Sequence, residues 1–111
     1  MSTFLPQDSN DNPIPALRFK NGGSHSISAG GVSARNATAF ADGTRIISVF
    51  ATAPIYMKFG DAGVSATSAD HYFPAGVYYD LSIGGDNTAH YEHIAVLAVD
   101  GAATVYVSEK E

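Results

Sequence analysis

Two histidines three residues apart, His90 and His93, flank Glu92 and follow Asp86, and Asp70 and His71 lie earlier in the chain. These are the only clustered residues of metal-ligand type, and imidazole with carboxylate suits zinc or another transition metal. The spacing argues against a shared ion. Side chains alternate between the faces of a strand, so residues three apart point opposite ways, and a chelating pair would stand at i and i+2. His90 and His93 converge only if the chain turns between them. Otherwise they are surface or interface histidines with ordinary hydrogen bonds. Asp61, Asp70 and Asp86 offer oxygen ligands for calcium, but the D-x-D-x-D spacing of a calcium loop is absent.

Catalytic patterns are weaker still. Ser, His and Asp all occur, but without a G-x-S-x-G elbow. No acid is marked by an apolar surround as one of a glycosidase pair. Gly30-Gly31 and Gly84-Gly85-Asp86 precede no helical pattern, so neither cradles phosphate. The expectation is a non-enzyme, with no catalytic residue, no metal site and no cofactor.

Tyrosine is the more informative residue. The chain has six, Tyr56, Tyr72, Tyr78, Tyr79, Tyr91 and Tyr106, and no tryptophan. Tyrosine brings apolar area with a polar tip, a composition suited to interfaces. Tyr72, Tyr78, Tyr79 and Tyr91 are the candidate contact residues. Two alternatives stand beside this: tyrosines that rim a sandwich with their hydroxyls tied into loops, and a stacking platform for sugar rings, which the lack of tryptophan disfavours. Asn36-Ala37-Thr38 matches a glycosylation sequon but reads as strand sequence.

The elements that must position these residues follow from composition and pattern. A chain of 111 residues is one domain, and its hydrophobic fraction of 45% supplies a core. Charged residues make up only 15%, below the roughly 25% usual for soluble domains, so the surface is unusually neutral or partly covered by a partner. A net charge of −5 argues against nucleic-acid binding. The absence of cysteine removes disulfides and thiolate sites. No apolar run is long enough for a membrane span, and no basic-then-apolar leader is visible.

From Leu17 onward the hydrophobic period is two, interrupted by turn signals, which is the all-β pattern. Strands are expected at 17–20, 25–28, 32–40, 45–52, 55–59, 77–83, 93–99 and 103–108. Asn21-Gly22-Gly23 reads as a tight hairpin turn, and Gly76 with Gly84 or Gly85 as positive-φ turn positions. Ile55, Met57 and Phe59 should share one face, as should Val77, Tyr79, Leu81 and Ile83. The segment 93–99 is apolar on both faces and should be the most buried strand. About eight short antiparallel strands fit a β-sandwich of jelly-roll type, with an immunoglobulin-like order left open. Residues 1–16 differ: Pro6, Pro13 and Pro15 bar a helix or central strand, so an extended N-terminal arm is expected before a single sandwich domain over 17–111. Phe4, Leu5 and Ile14 are its candidate anchors on a neighbour.

Arg45 to Asp61, RIISVFATAPIYMKFGD, and Asp70 to Tyr79, DHYFPAGVYY, carry a resemblance. Phe59-Gly60-Asp61 followed by Tyr72-Phe73-Pro74-Ala75-Gly76 resembles a family of small β-rich virion proteins of tailed bacteriophages and prophages. The resemblance spans roughly Ile46 to Glu109 and transfers no catalytic residue. It implies a structural protein of the virion, with capsid-surface decoration as the favoured placement and neck, tail or glycan-binding fibre positions as alternatives. The implied partners are the major capsid protein or other virion proteins, together with further copies of the chain, a trimer being favoured, and no nucleic acid or membrane.

Overall fold

The computed structural model describes residues 9–12, 17–85 and 88–111. No helix occurs among them. Eight strands follow in chain order: β1 (Phe19–Ala29), β2 (Ala34–Arg35), β3 (Ile46–Ala51), β4 (Ile55–Gly60), β5 (His71–Phe73), β6 (Tyr78–Ser82), β7 (His93–Ala98) and β8 (Ala103–Lys110). They form two four-stranded sheets, β1-β8-β3-β6 and β2-β7-β4-β5.

That order has a simple origin. β1 pairs with β8, β2 with β7, β3 with β6 and β4 with β5, all antiparallel. The chain runs out through four strands and returns beside itself through four more, as one long folded hairpin. Rolling this ribbon inserts β8 between β1 and β3, and β7 between β2 and β4. The product is a jelly roll, which selects between the two sandwich orders that periodicity leaves open.

Alternation fills the space between the sheets. Ile47, Val49 and Ala51 of β3 and Val105 and Val107 of β8 are buried on one side. Ile55 and Met57 of β4 and Ile94, Val96 and Ala98 of β7 face them from the other. β7 is buried along nearly its whole length, with Leu97 half-buried and Val99 exposed just beyond the strand.

Three local expectations are corrected. Asn21-Gly22-Gly23 does not reverse the chain, because the residues on both sides pair with the same partner, β8. The ladder passes from Phe19↔Lys110 to Ser24↔Ser108, so the extra residues bulge, with Gly22 at φ 78°. Within 32–40 only Ala34–Arg35 joins a ladder, because the Asn36 side chain takes over the next β7 contact. Gly76 has the expected positive φ, 75°, but neither Gly84 nor Gly85 does. Gly84 is needed instead for close approach, since a Cβ there would lie 3.0 Å from the His90 Cα.

Of the N-terminal arm only Ser9–Asn12 is described: an exposed turn with Asp11 at φ 61°. Phe4, Leu5 and Ile14 lie outside the described residues.

Candidate functional site

Tyr79 and Leu81 of β6 stand opposite Val49 and Ile47 of β3, so they belong to the inward face of their sheet. The second sheet does not fully cover them. Its edge strand β5 has only three residues, against five in β6. The sandwich therefore opens along the β5–β6 flank into a groove of about 440 Å³. Met57 and Phe59 of β4 form its floor, His71, Tyr72 and Phe73 one lip, Pro74 and Val77 its end, and Tyr79 and Leu81 the other lip. The lining is apolar apart from the His71 ring and the tyrosine hydroxyls.

The residues that carry the family resemblance build this groove. Phe59, Tyr72, Phe73 and Pro74 line it. Gly60 lets Val64 approach to 2.9 Å of where a Cβ would stand, and Asp61 Oδ1 accepts the Gly63 N–H at 2.9 Å to close the next loop. Gly76 makes the left-handed turn between β5 and β6, and its N–H donates to Ala51 O at 3.0 Å.

The four candidate tyrosines are all exposed but do not form one platform. Tyr72 and Tyr79 line the groove, and Tyr91 stacks on its floor residue Phe59 with ring centroids 5.7 Å apart. Tyr78 lies on the outer face of the first sheet, as alternation with Tyr79 demands. Its hydroxyl meets Ser48 Oγ at 2.6 Å, and the Lys110 ammonium stands 5.1 Å from its ring centroid. Asp80 hydrogen-bonds that ammonium and raises its pKa, the effect outweighing partial burial.

His90, His93 and Asp70 hold loops in place. His90 Nε2–H donates to Thr44 O at 2.9 Å, while buried His93 uses Nδ1–H toward Asn36 O at 3.0 Å. Asp70 Oδ2 accepts the Thr67 N–H and hydroxyl, and the backbone bond is the main cause of its lowered pKa. Among the described residues no three His, Asp or Glu side chains converge; Asp86 lies outside them. The sequon asparagine is 1% exposed. Asn36 Oδ1 accepts the Ile94 N–H at 2.9 Å and its Nδ2 donates to Thr38 O at 2.7 Å, so it is a joint between β2 and β7.

Sequence reasoning missed one cluster. Glu109, 4% exposed, follows Val105 and Val107 on the inward row of β8. Its Oε2 pairs with His25 Nε2 at 2.9 Å, and its Oε1 accepts Thr44 Oγ1–H at 2.6 Å and the Ala41 N–H at 2.9 Å. His25 also meets the Phe40 ring edge-on at 5.1 Å. Burial pushes the Glu109 carboxyl up, but the hydrogen bonds from Thr44, His25 and Ala41 outweigh it and hold its pKa below the ordinary glutamate value. The cluster ties the 40–44 connection to both β1 and β8. Strict period two, extended one step past Val107, was the signal that could have found it.

No family model matches the chain, and no curated protein does. Among solved structures, one is a Bacillus endospore appendage from a family of disulfide-linked pili, at 14% identity over 97% of this chain and 96% of that one, with a TM-score of 0.44. Another is an RmlC-like cupin protein from Desulfovibrio desulfuricans, at 12% identity over 87% and 92%, with a TM-score of 0.34. Likenesses this distant carry no functional argument. Fold and site together define a jelly-roll sandwich whose apolar β5–β6 flank is left uncovered by the described residues.

Proposed function

We propose that this chain is a non-enzymatic structural protein of a tailed-phage virion, a capsid decoration subunit that holds neighbouring proteins together by burying apolar surface. The groove is the observation that carries this reading. A tightly filled sandwich leaves part of its inward face uncovered along one flank, and the walls are the residues on which the family resemblance rests. A concave, apolar groove of this size is suited to take up an apolar group of a partner. The low charge of 15% fits a protein much of whose surface is covered in its assembly. The chemistry-bearing groups His25, His90, His93, Asp70 and Glu109 are engaged in bonds that hold loops and strands, which favours a structural role.

The implied partners are the major capsid protein and further copies of the chain, in a trimer or other ring. Quantitative mass spectrometry of purified particles tests the reading. Hundreds of copies per particle are expected for a shell protein. A dozen or fewer would move it to the neck or tail, and absence would overturn it.

A further inference from the structure

We propose that the occupant of the β5–β6 groove is the Phe4-Leu5-Pro6 segment of a second copy of this chain, so that subunits join head to tail. This rests on reading the groove as a protein-docking surface.

The two ends of the contact lie on opposite flanks. β6 is one edge of the first sheet and β1 the other, with β8 and β3 between, so about 14 Å separates them at the usual strand spacing. The chain leaves from the β1 edge, where the Arg18 N–H donates to Glu111 O at 3.1 Å and Lys110 Nζ stands 5.3 Å from the Phe19 ring centroid. The departure point is thus held in the ladder, away from the groove. The one described stretch of the arm, Ser9–Asn12, is exposed throughout. A tail leaving one flank and a receptor opening on the other make a heterologous contact, which repeats into a ring where the rotation closes.

The chemistry matches. Phe4 and Leu5 need apolar cover, and the groove offers Met57, Phe59, Phe73 and Leu81. Among the described residues both lips are edge strands: β5 pairs only with β4, and β6 only with β3. An extended segment can therefore add backbone hydrogen bonds while its side chains enter the groove. Pro6, which lacks an N–H, ends that pairing after Leu5. Reach suffices as well. The 14 residues between Phe4 and Phe19 span about 45 Å at most, less what the Ser9–Asn12 turn takes up. Pro6, Pro13 and Pro15 reduce the conformational freedom lost on docking.

The lack of native cysteine makes a clean test available. Full-length Leu5→Cys is mixed with full-length Val77→Cys, at the groove end, and separately with Val32→Cys, exposed and off the groove. Thermal unfolding confirms that each variant is folded. A docked pair is held at high effective concentration, so the disulfide yield with Val77→Cys should exceed that with Val32→Cys by roughly tenfold or more under mild oxidation. Equal yields would overturn the proposal. So would a Leu5→Cys/Val77→Cys double variant that links only within its own chain, since the arm would then fill its own groove. Cross-linking between copies of a protein absent from virions would leave this contact standing and remove only the virion reading.

Discussion

Tyr79 stands directly across from Val49 in the β3–β6 ladder, on the same face of the sheet, yet Val49 has 0% exposure and Tyr79 keeps 55%. The step between neighbouring strands is where the second sheet stops covering the first. One row of inward-facing residues thus passes from core to open groove without a change in periodicity.

Tyr79→Ser should separate folding from assembly. Tyr79 lies on an edge strand and is half in solvent, so its loss should change stability by no more than about 1 kcal/mol. Self-association of the full chain should fall sharply, read by size-exclusion chromatography with light scattering. Wild-type self-association by a folded variant would show the groove to be irrelevant to the contact between copies.

Acid should loosen the tie between the 40–44 connection and strands β1 and β8. Because folding lowers the Glu109 pKa from its ordinary value, its contribution to stability is complete above the range in which an unfolded glutamate titrates. It is lost as pH falls through the depressed folded value. Glu109→Gln should cost about 1–3 kcal/mol at neutral pH, since a buried, bonded carboxylate is replaced by an amide that cannot accept at both ends. The variant should also lose less stability than wild type between pH 5 and acid. Chemical denaturation across pH reads both effects, and parallel pH curves would assign no such role to Glu109.

The sequon gives a paired test. Asn36→Ala should destabilise by about 1–3 kcal/mol, because the buried Ile94 N–H loses its acceptor. Thr38→Ala destroys the same sequon but leaves the Thr38 carbonyl that Asn36 uses, so it should stay within about 0.5 kcal/mol of wild type. Equal melting shifts for the two would contradict the joint.

Three glycines should rank by physical cause. Gly76→Ala should cost about 1 kcal/mol through its φ of 75°. Gly84→Ala should also destabilise, since the His90 backbone 3.0 Å from the new Cβ must move. Gly30 has nothing within 4 Å of a Cβ, and Gly30→Ala should be neutral or slightly stabilising. Urea midpoints at one pH give the ranking.

Val96→Asp should prevent folding, as an unpaired carboxylate at a fully buried central position costs several kcal/mol, of the order of a small domain's whole stability. Soluble, sheet-rich Val96→Asp protein would mean that β7 is not central.

Most strands, the inward rows and the burial of β7 were legible in the chain because alternation is local: Ile55, Met57 and Phe59 take one face whatever they pair with. The three-residue β5 (His71–Phe73) was not expected, because so short a run shows no period. Strand order was not, because β1 finds β8 across some 80 residues, and that pairing turns Asn21-Gly22-Gly23 from an expected hairpin into a bulge. The residues of the groove were legible only as a motif and a set of tyrosines. Alternation already parted Tyr78 from Tyr79, but only the packed sheets show that Tyr79 borders a cavity while Tyr78 bonds Ser48. His90 and His93 looked like a cluster in one dimension and serve two different loops in three. By itself the sequence determined an all-β chain with few charges, because composition and period two act residue by residue. The tertiary structure decided where the second sheet ends, and with it which inward-facing residues become core and which line the open groove, because coverage depends on contacts between strands far apart in the chain.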